Sequence, residues 1–289
     1  MTAEKLLSHR LRGFGSPEHT WPALEAACVS RVPFLEVDTR ASLDGQLFLS
    51  HDYSTRRILG QHFVIAQTPA EDLRSLRSPA GLSLIPLDSA LDHFRSASSQ
   101  QRLCLDIKDY GFEPVHLDAV RRYNLEDRVI FVSWIPQTLV RLAELGTRCP
   151  LILSHWPLKR LGAFGSLACF LTGRLLFKLR EFVFLGNSRW NTELGEFSHG
   201  FQHGFFCSEL PTRLVDILVE NGGGICAHKS MVSGSLIHYC QKVGLQVWVF
   251  TAKKPVEYFR YSAIQGIDVV FSDQPSEVLE ELARLSACG

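Results

Sequence analysis

Two acidic residues stand two positions apart in the short apolar segment Phe34-Leu35-Glu36-Val37-Asp38. In an extended strand, residues i and i+2 point to the same side, so the carboxylates of Glu36 and Asp38 are expected to lie together. Such a buried pair is costly unless a positive charge neutralises it. A divalent cation bound by carboxylate oxygens supplies that charge. The alternative is a set of salt bridges among Glu36, Asp38, Arg10 and Lys108.

The same spacing recurs in the segment Leu103-Cys104-Leu105-Asp106-Ile107-Lys108. Asp106 and Lys108 are therefore also expected to share one side of a strand. Asp106 could complete a group of three carboxylates around a cation. Lys108 could face a phosphate group.

Two histidines bracket the acidic pair, in the dipeptides His9-Arg10 and His51-Asp52. Histidine titrates near neutral pH and can act as a general acid or base. Arginine matches phosphate oxygens through bidentate hydrogen bonds. The turn sequence Leu43-Asp44-Gly45-Gln46 predicts that the chain folds back and brings His51 towards the acidic pair.

Eight short apolar segments alternate with mostly amphipathic stretches along the chain, which predicts a closed parallel sheet, the (β/α)₈ TIM barrel. An open, doubly wound sheet is the main alternative, although no glycine-rich nucleotide loop follows the first segment. The segments are Leu6–His9, Phe34–Asp38, Leu103–Lys108, Val129–Trp134, Leu151–His155, Gly224–Lys229, Gln246–Thr251 and Ile267–Asp273.

Polar residues recur at the carboxyl end of these segments, which is the face that carries the chemistry of such barrels. They are His9, Glu36, Asp38, Asp106, Lys108, His155, Lys229, Thr251 and Asp273.

The composition predicts one globular domain over residues 1–289. Lys and Arg together number 30, as do Asp and Glu, so no basic excess indicates nucleic-acid binding. None of the eight cysteines forms a CxxC pair, which favours free, buried thiols in a reducing compartment. Residues 1–9 lack an apolar signal core, so we expect a cytoplasmic protein rather than a secreted one.

The order and spacing of these motifs resemble the glycerophosphodiester phosphodiesterase family. The motifs are His9-Arg10, Pro17-Glu18-His19-Thr20, Glu36-Val37-Asp38, Asp44-Gly45 and His51-Asp52, with Ser133-Trp134 and Ser272-Asp273-Gln274-Pro275 as later markers. The resemblance implies a barrel of the phospholipase C-like phosphodiesterase type and one Mg²⁺ or Ca²⁺ ion.

The resemblance also implies a role for each matching residue. The metal ligands would be Glu36, Asp38 and Asp106, and the acid and base would be His9 and His51. Arg10 and Lys108 would hold the phosphate. On the strand Val247-Trp248-Val249-Phe250-Thr251, Trp248 and Phe250 share one parity, so either could face the pocket, and we assign Trp248 to substrate binding.

The sequence departs from the usual family pattern at several positions, among them the strand Val247–Thr251, where the family often has Trp-Thr-Val-Asn. Leu11 replaces a glycine and His19 an asparagine, while Asp106 stands where many members have glutamate. In having aspartate at this position, the sequence is similar to the sphingomyelinase D relatives and to the lysophospholipase D branch. These departures bear on the leaving group rather than on the reaction type.

The expected reaction is metal-dependent hydrolysis of a glycerophosphodiester to an alcohol and glycerol 3-phosphate. The attacking group is water, or the glycerol 2-hydroxyl through a cyclic phosphate. Three alternatives are a lysophospholipase D acting at a membrane surface, a sphingomyelinase D-like transphosphorylase and an inactive binding module. The intact set of motif residues argues against the last.

Residues 156–223 form a long insertion between the fifth and sixth predicted strands. Its part 161–185 is rich in large apolar residues, with Arg174, Lys178 and Arg180 in the second half. Such a segment either lies in a membrane interface, giving a peripheral membrane protein, or is the fifth barrel helix packed on the sheet. It also resembles the apolar insertion of the lysophospholipase D branch.

Overall fold

The fold is seen in a computed structural model that describes residues 2–97, 100–155, 210 and 212–287. Nine strands are present in these residues, all in one sheet. They are β1 Leu6–Ser8, β2 Phe34–Ala41, β3 Leu47–Leu49, β4 Arg102–Ile107, β5 Val129–Ser133, β6 Leu151–His155, β7 Gly224–His228, β8 Gln246–Ala252 and β9 Val269–Ser272.

Eight of the strands are parallel neighbours and close into a barrel, in the order β1-β9-β8-β7-β6-β5-β4-β2. β1 completes the ring because it pairs in parallel with β9 on one side and with β2 on the other. The structure therefore confirms the predicted (β/α)₈ barrel, and the closed ring excludes the open sheet.

Helices follow the strands and cover the outside of the barrel. The helices of the described residues are α1 Trp21–Cys28, α2 Arg56–Leu59, α3 Ala70–Ser75, α4 Leu87–Ala97, α5 Glu113–Arg122, α6 Pro136–Glu144, α7 Thr212–Glu220, α8 Gly234–Val243, α9 Pro255–Ser262 and α10 Pro275–Ala287. Proline stands in the first turn of α1, α5, α6 and α9, where its missing N–H costs no hydrogen bond.

Strand alternation divides the core into two layers. Residues such as Leu35, Val37 and Leu105 point outward and pack under the helices. Their neighbours Cys104, Ile130 and Trp248 point inward and fill the barrel. Glu36, Asp38 and Asp106 share the inward parity, so the polar site stands on top of an apolar plug. The five cysteines within the described ranges are buried and unpaired: Cys28, Cys104, Cys149, Cys226 and Cys240.

Strand β3, which is not part of the ring of eight, extends the barrel upward beside the site. β3 runs antiparallel to the end of β2, with Thr39 opposite Leu49, through a turn in which Gly45 has a φ of +82°. The Ser50 N–H then donates to the Asp38 carbonyl at 2.9 Å. The predicted turn therefore brings His51 back over β2.

Most of the predicted insertion 156–223 lies outside the described residues, and so do the apolar stretch 161–185 and its basic residues. Helix α7 forms the end of that range and leads into β7. Within the ranges that the structure describes, no helix combines the length and apolarity needed to cross a membrane.

Candidate active site

The carboxyl ends of β1, β2 and β4 meet around a group of charged side chains, with the end of β3 above them. Seven of the eight residues assigned from the sequence are brought together there. They are His9, Arg10, Glu36, Asp38, His51, Asp106 and Lys108.

Three carboxylates form the centre of the group. Glu36, Asp38 and Asp106 are all buried, and each offers an oxygen within 4.8 Å of the others. β2 and β4 place Asp38 directly opposite Asp106 in their parallel register. Asp38 Oδ2 and Asp106 Oδ1 accept no hydrogen bond from the described residues. Buried carboxylate oxygens without donors, grouped at this spacing, fit a hard divalent cation.

Two positively charged side chains, Lys108 and Arg10, already contact these carboxylates. Lys108 Nζ lies 2.7 Å from Asp38 Oδ1 and 2.5 Å from Asp106 Oδ2. Arg10 Nε lies 3.3 Å from Asp38 Oδ2, and the Arg10 N–H donates to Glu36 Oε2 at 2.8 Å. The salt bridges expected as an alternative are thus present together with the carboxylate cluster. Three carboxylates face two side-chain cations, which leaves a formal charge of minus one.

The electrostatics of the three carboxylates differ. Burial, together with the charges of Asp38 and Asp106, raises the pKa of Glu36 well above its usual value. Burial opposes the ionisation of Asp38 too, but Lys108 and Arg10 outweigh it and hold the Asp38 pKa well below its usual range. Burial also raises the pKa of Asp106, despite Lys108. An added cation would therefore stabilise the Glu36 and Asp106 anions most.

Each of the two site histidines, His9 and His51, is held by an aspartate through its Nδ1 atom. His9 Nδ1 lies 2.7 Å from Asp273 Oδ1, and His51 Nδ1 lies 2.8 Å from Asp52 Oδ1. Because an ionised carboxylate only accepts, each ring donates from Nδ1, and Nε2 is the nitrogen that can exchange a proton. Burial lowers the pKa of His9 despite Asp273, and lowers that of His51 to about 4. Both rings are therefore neutral at neutral pH.

The backbone after β1 is strained where the sequence departs from the family pattern. Arg10 and Leu11 have φ angles of +57° and +58°, in the left-handed region that glycine adopts most readily. A non-glycine residue pays on the order of 1–2 kcal/mol there. Leu11 is fully buried in the core, and this packing offsets the strain. The turn directs the Arg10 N–H towards Glu36.

His19, the second departure, lies beneath the carboxylates. It is buried, and its Nε2 accepts the N–H of Asp38 at 3.1 Å. Burial lowers its pKa to about 4, more than Asp38 and Glu18 raise it, so the ring is neutral. An asparagine side chain could also supply a neutral acceptor at this position.

The opposite half of the barrel mouth is aromatic. Phe250 packs edge to face against Trp134 and His228, with ring centroids 5.7 and 5.4 Å apart, and Phe271 continues the wall towards His9. Trp248, assigned from the sequence to substrate binding, lies elsewhere. It is 1% exposed inside the barrel, packs on Phe34 at the start of β2 and donates to Gln246 Oε1 at 2.9 Å. Phe250, two residues further along β8, occupies the mouth instead.

Sequence reasoning left out several residues that hold the histidines. Asp273 directly follows β9, and its place as a polar residue at a strand end is the signal that could have identified it. Arg40 is buried, pairs with Asp109 at 2.8 Å and donates to the His51 carbonyl at 3.0 Å. Arg57, on the short helix α2, contacts Asp52. No spacing rule connects Arg57 with Asp52, so only the folded structure shows this contact.

A family model matches the part of the chain that holds most of this site. Residues 9–106 match the Glycerophosphoryl diester phosphodiesterase family, a range that begins at His9 and ends at Asp106. Among curated proteins, the uncharacterized protein YqiK of Bacillus subtilis is 24% identical over 151 residues, or 49% of this chain. That alignment spans 62% of the length of YqiK.

Solved structures share the whole barrel. A glycerophosphodiester phosphodiesterase from Parabacteroides distasonis has a TM-score of 0.66 at 17% identity, over 98% of both chains. One from Thermotoga maritima has a TM-score of 0.61 at 17% identity, over 96% of this chain and 97% of that one. An Oleispira antarctica phosphodiesterase, solved with its product sn-glycerol-3-phosphate, has a TM-score of 0.65 at 18% identity, over 96% of each chain. At these identities the likeness shows the fold, while the family model, which covers residues 9–106, matches the family that the sequence motifs resemble.

Proposed function

Since the first third of the chain matches the Glycerophosphoryl diester phosphodiesterase family, we propose that this protein hydrolyses glycerophosphodiesters to an alcohol and glycerol 3-phosphate. One observation carries the proposal. Two histidines, each oriented by a carboxylate on Nδ1, stand at the same barrel mouth as a buried three-carboxylate cluster. With a divalent cation held by the carboxylates, that combination would supply both the proton transfers and the charge neutralisation that a phosphodiester needs.

Glu36, Asp38 and Asp106 are the residues that would hold the divalent cation, Mg²⁺ or Ca²⁺. When bound, such a cation polarises a phosphoryl oxygen and neutralises the charge that develops on the phosphate. Arg10 and Lys108 face the same space, and we assign to them the remaining phosphate oxygens. Lys108 would then exchange part of its contact with Asp38 and Asp106 for the substrate.

The histidines move the protons. In the free protein both rings are neutral at neutral pH, so either can accept a proton on Nε2. A phosphodiester anion between them raises the pKa of both, because a nearby negative charge favours the imidazolium form. The ring that becomes protonated then supplies the proton to the leaving alcohol, while the other takes one from the attacking hydroxyl or water.

The aromatic half of the mouth bears on the leaving group. Phe250 and Trp134, which are only partly buried, offer apolar faces across from the charged half. Such faces favour a choline cation, through cation–π attraction, or an acyl chain, through apolar burial. The second candidate function is accordingly that of a lysophospholipase D, whose substrate keeps its acyl chain.

The test is a substrate panel followed by ³¹P NMR. Glycerophosphocholine, glycerophosphoethanolamine and lysophosphatidylcholine are each incubated with Mg²⁺, with Ca²⁺ and with EDTA. We expect metal-dependent turnover of glycerophosphocholine to glycerol 3-phosphate, and none with EDTA. Turnover of lysophosphatidylcholine alone would favour the second candidate, and a persistent cyclic phosphate would indicate transphosphorylation. No turnover of any substrate would contradict the proposal.

A further inference from the structure

Glu18 is a buried carboxylate that takes no direct part in the proposed reaction. It is 5% exposed, and arginines of two segments converge on it: Arg12 and, at 3.6 Å, Arg10 from the turn after β1, and Arg57 from α2. Arg12 Nε donates to Glu18 Oε2 at 2.5 Å, and Arg57 Nη2 lies 2.6 Å from Glu18 Oε1. Burial alone would raise the pKa of Glu18, but Arg57 and Arg10 outweigh it and lower that pKa, so the carboxylate is ionised at neutral pH.

Each arginine has a second carboxylate partner. Arg12 Nη1 donates to Asp273 Oδ1 at 3.2 Å, and Arg57 Nε donates to Asp52 Oδ2 at 2.5 Å. Asp273 and Asp52 are the two carboxylates that accept from the histidines. The contacts therefore form one continuous chain, which we name the brace: Asp273, Arg12, Glu18, Arg57 and Asp52 join His9 at one end to His51 at the other.

The brace joins two segments that lie far apart in the sequence. His9 and Arg12 lie on the turn after β1, whereas His51 and Arg57 lie on the segment that follows β3. An isolated ion pair at a partly exposed side chain such as Arg57, which is 41% exposed, does little to fix the orientation of its partner. A network anchored on a buried, ionised carboxylate fixes side-chain orientations better, because each guanidinium group binds two carboxylates at defined angles.

We propose that Glu18 is a positioning residue shared by both histidines, acting through Arg12 on His9 and through Arg57 on His51. The inference rests on the proposed function in assigning the two histidines to proton transfer. It adds a coupling between them: one buried carboxylate sets the orientation of both rings. Glu18 thus affects catalysis without contacting the substrate, and each arginine serves one histidine only.

The test compares Glu18→Gln, Arg12→Gln and Arg57→Gln by ¹⁵N NMR of the imidazole rings. We expect Nδ1–H tautomers for His9 and His51 in the wild type. Arg57→Gln should give mixed tautomers at His51 alone, and Arg12→Gln at His9 alone. Glu18→Gln should affect both rings. Arg56→Gln, on the exposed side of the same helix α2, is the matched control and should leave both rings unchanged.

Kinetics give a second measure that does not depend on the spectra. A misoriented acid or base costs on the order of 10²-fold in rate, so Glu18→Gln should lower kcat by roughly that factor with little change in KM. Arg57→Lys should restore little of the kcat that is lost when Arg57 is replaced, because one ammonium group cannot bind both Asp52 and Glu18 as a guanidinium does. Arg57 is partly exposed, so its variants are expected to fold even where Glu18→Gln does not.

Two results would overturn the brace. One is wild-type tautomers at both rings in a folded Glu18→Gln variant. The other is an equal change in the tautomers of His9 and His51 in Arg57→Gln. That result would indicate a general loss of order at the site rather than a separate effect of each arginine on one histidine. A wild type that hydrolyses no substrate of the panel, but shows the arm-specific pattern, would contradict the proposed function and leave the brace intact.

Discussion

At the scale of single residues, Glu36 is the least stable anion of the carboxylate cluster. Lys108 and Arg10 form ion pairs with Asp38, and Lys108 also contacts Asp106, whereas Glu36 accepts a backbone N–H from Arg10. Its pKa is accordingly raised, first by burial and then by Asp38 and Asp106. Glu36 is therefore the carboxylate whose ionisation a bound cation would favour strongly.

Glu36→Gln should therefore abolish tight binding of Mg²⁺ and Ca²⁺ while the protein remains folded. The amide removes one of three ligand charges and keeps nearly the same volume. Isothermal titration calorimetry measures the binding, and Glu71→Gln, an exposed residue of α3, is the matched control. Unchanged affinity in Glu36→Gln would mean that the carboxylate cluster is not a metal site.

His9→Ala and His51→Ala should each lower kcat by about 10²–10⁴-fold, the usual contribution of a positioned acid or base. The double variant should lose less than the product of the two, because both rings serve one step. His62→Ala, an exposed histidine of the neighbouring loop, is the control. Steady-state turnover on the best substrate of the panel provides the measurement, and near-normal kcat in either single variant would remove that ring from the mechanism.

At the scale of elements, the entry of β7 is packed against backbone on both sides. A Cβ on Gly223 would lie 1.9 Å from the Leu151 carbonyl oxygen, and one on Gly224 would lie 2.3 Å from that of Gln246. Both contacts are closer than any real Cβ allows. Glycine is required here because neighbouring strands approach closely, since neither residue has a positive φ. This close approach sets the register that carries β7 to the barrel mouth.

Gly224→Ala should lower the free energy of unfolding by roughly 1–3 kcal/mol, the typical cost of overpacking a tight site. Gly234→Ala is the matched control, because a Cβ there meets nothing within 4 Å and lies in the first turn of α8. Urea denaturation followed by circular dichroism gives both values. Equal stability of the two variants would show that β7 has room to shift.

His116 connects helix α5 to the strand that carries the acidic pair. Its Nε2 lies 2.8 Å from Thr39 Oγ1, and its Nδ1 donates to the Phe112 carbonyl at 2.8 Å. Burial lowers the pKa of His116 from 6.5 to about 4. The unfolded chain therefore binds more protons than the folded one between these pH values, so His116 destabilises the fold as the pH falls through this window.

A His116→Gln variant should consequently be less sensitive to acid than the wild type. The pKa difference corresponds to roughly 3 kcal/mol at most, and its full effect is reached below pH 4. Urea unfolding at pH 7, 5.5 and 4.5 gives the free energy of unfolding of both proteins. We expect the advantage of the wild type to shrink towards pH 4.5, and a constant difference across the three pH values would contradict the assignment.

At the scale of the whole molecule, the barrel mouth has two chemically distinct halves. The ends of β1, β2 and β4 carry the charged cluster, while the inward residues at the ends of β5, β8 and β9 form the aromatic wall. The predicted insertion begins directly after β6, at the carboxyl end of the barrel strands. An apolar, basic segment at that position would place the mouth next to a lipid surface.

If residues 161–185 contact membranes, the protein should float with anionic vesicles at low salt. A variant with Phe164→Ser, Phe170→Ser and Leu176→Ser should float less and turn over lysophosphatidylcholine more slowly. Glycerophosphocholine turnover, which needs no membrane, is the internal control. Equal flotation of the two proteins, with unchanged turnover of the lysolipid, would contradict membrane contact and favour the alternative of a packed barrel helix.

The barrel and most residues of the site could be predicted from the sequence. Alternating apolar segments and helices leave few ways to bury both faces of the strands, and residues two apart on a strand share one side by geometry. Glu36, Asp38 and Asp106 could therefore be grouped without coordinates. The turn at Asp44-Gly45 likewise predicted that His51 returns to the acidic pair, because a reversal of the chain depends on local conformation.

Which side chains meet across different loops is seen only in the folded chain. Strand parity allowed both Trp248 and Phe250 to face the pocket, and their depth in the barrel depends on how the strands are staggered around the ring. Glu18 is joined to the two histidines by Arg12 and Arg57, long side chains whose reach crosses from one loop to another. Such contacts follow from the three-dimensional path of the backbone, for which spacing along the chain provides no rule.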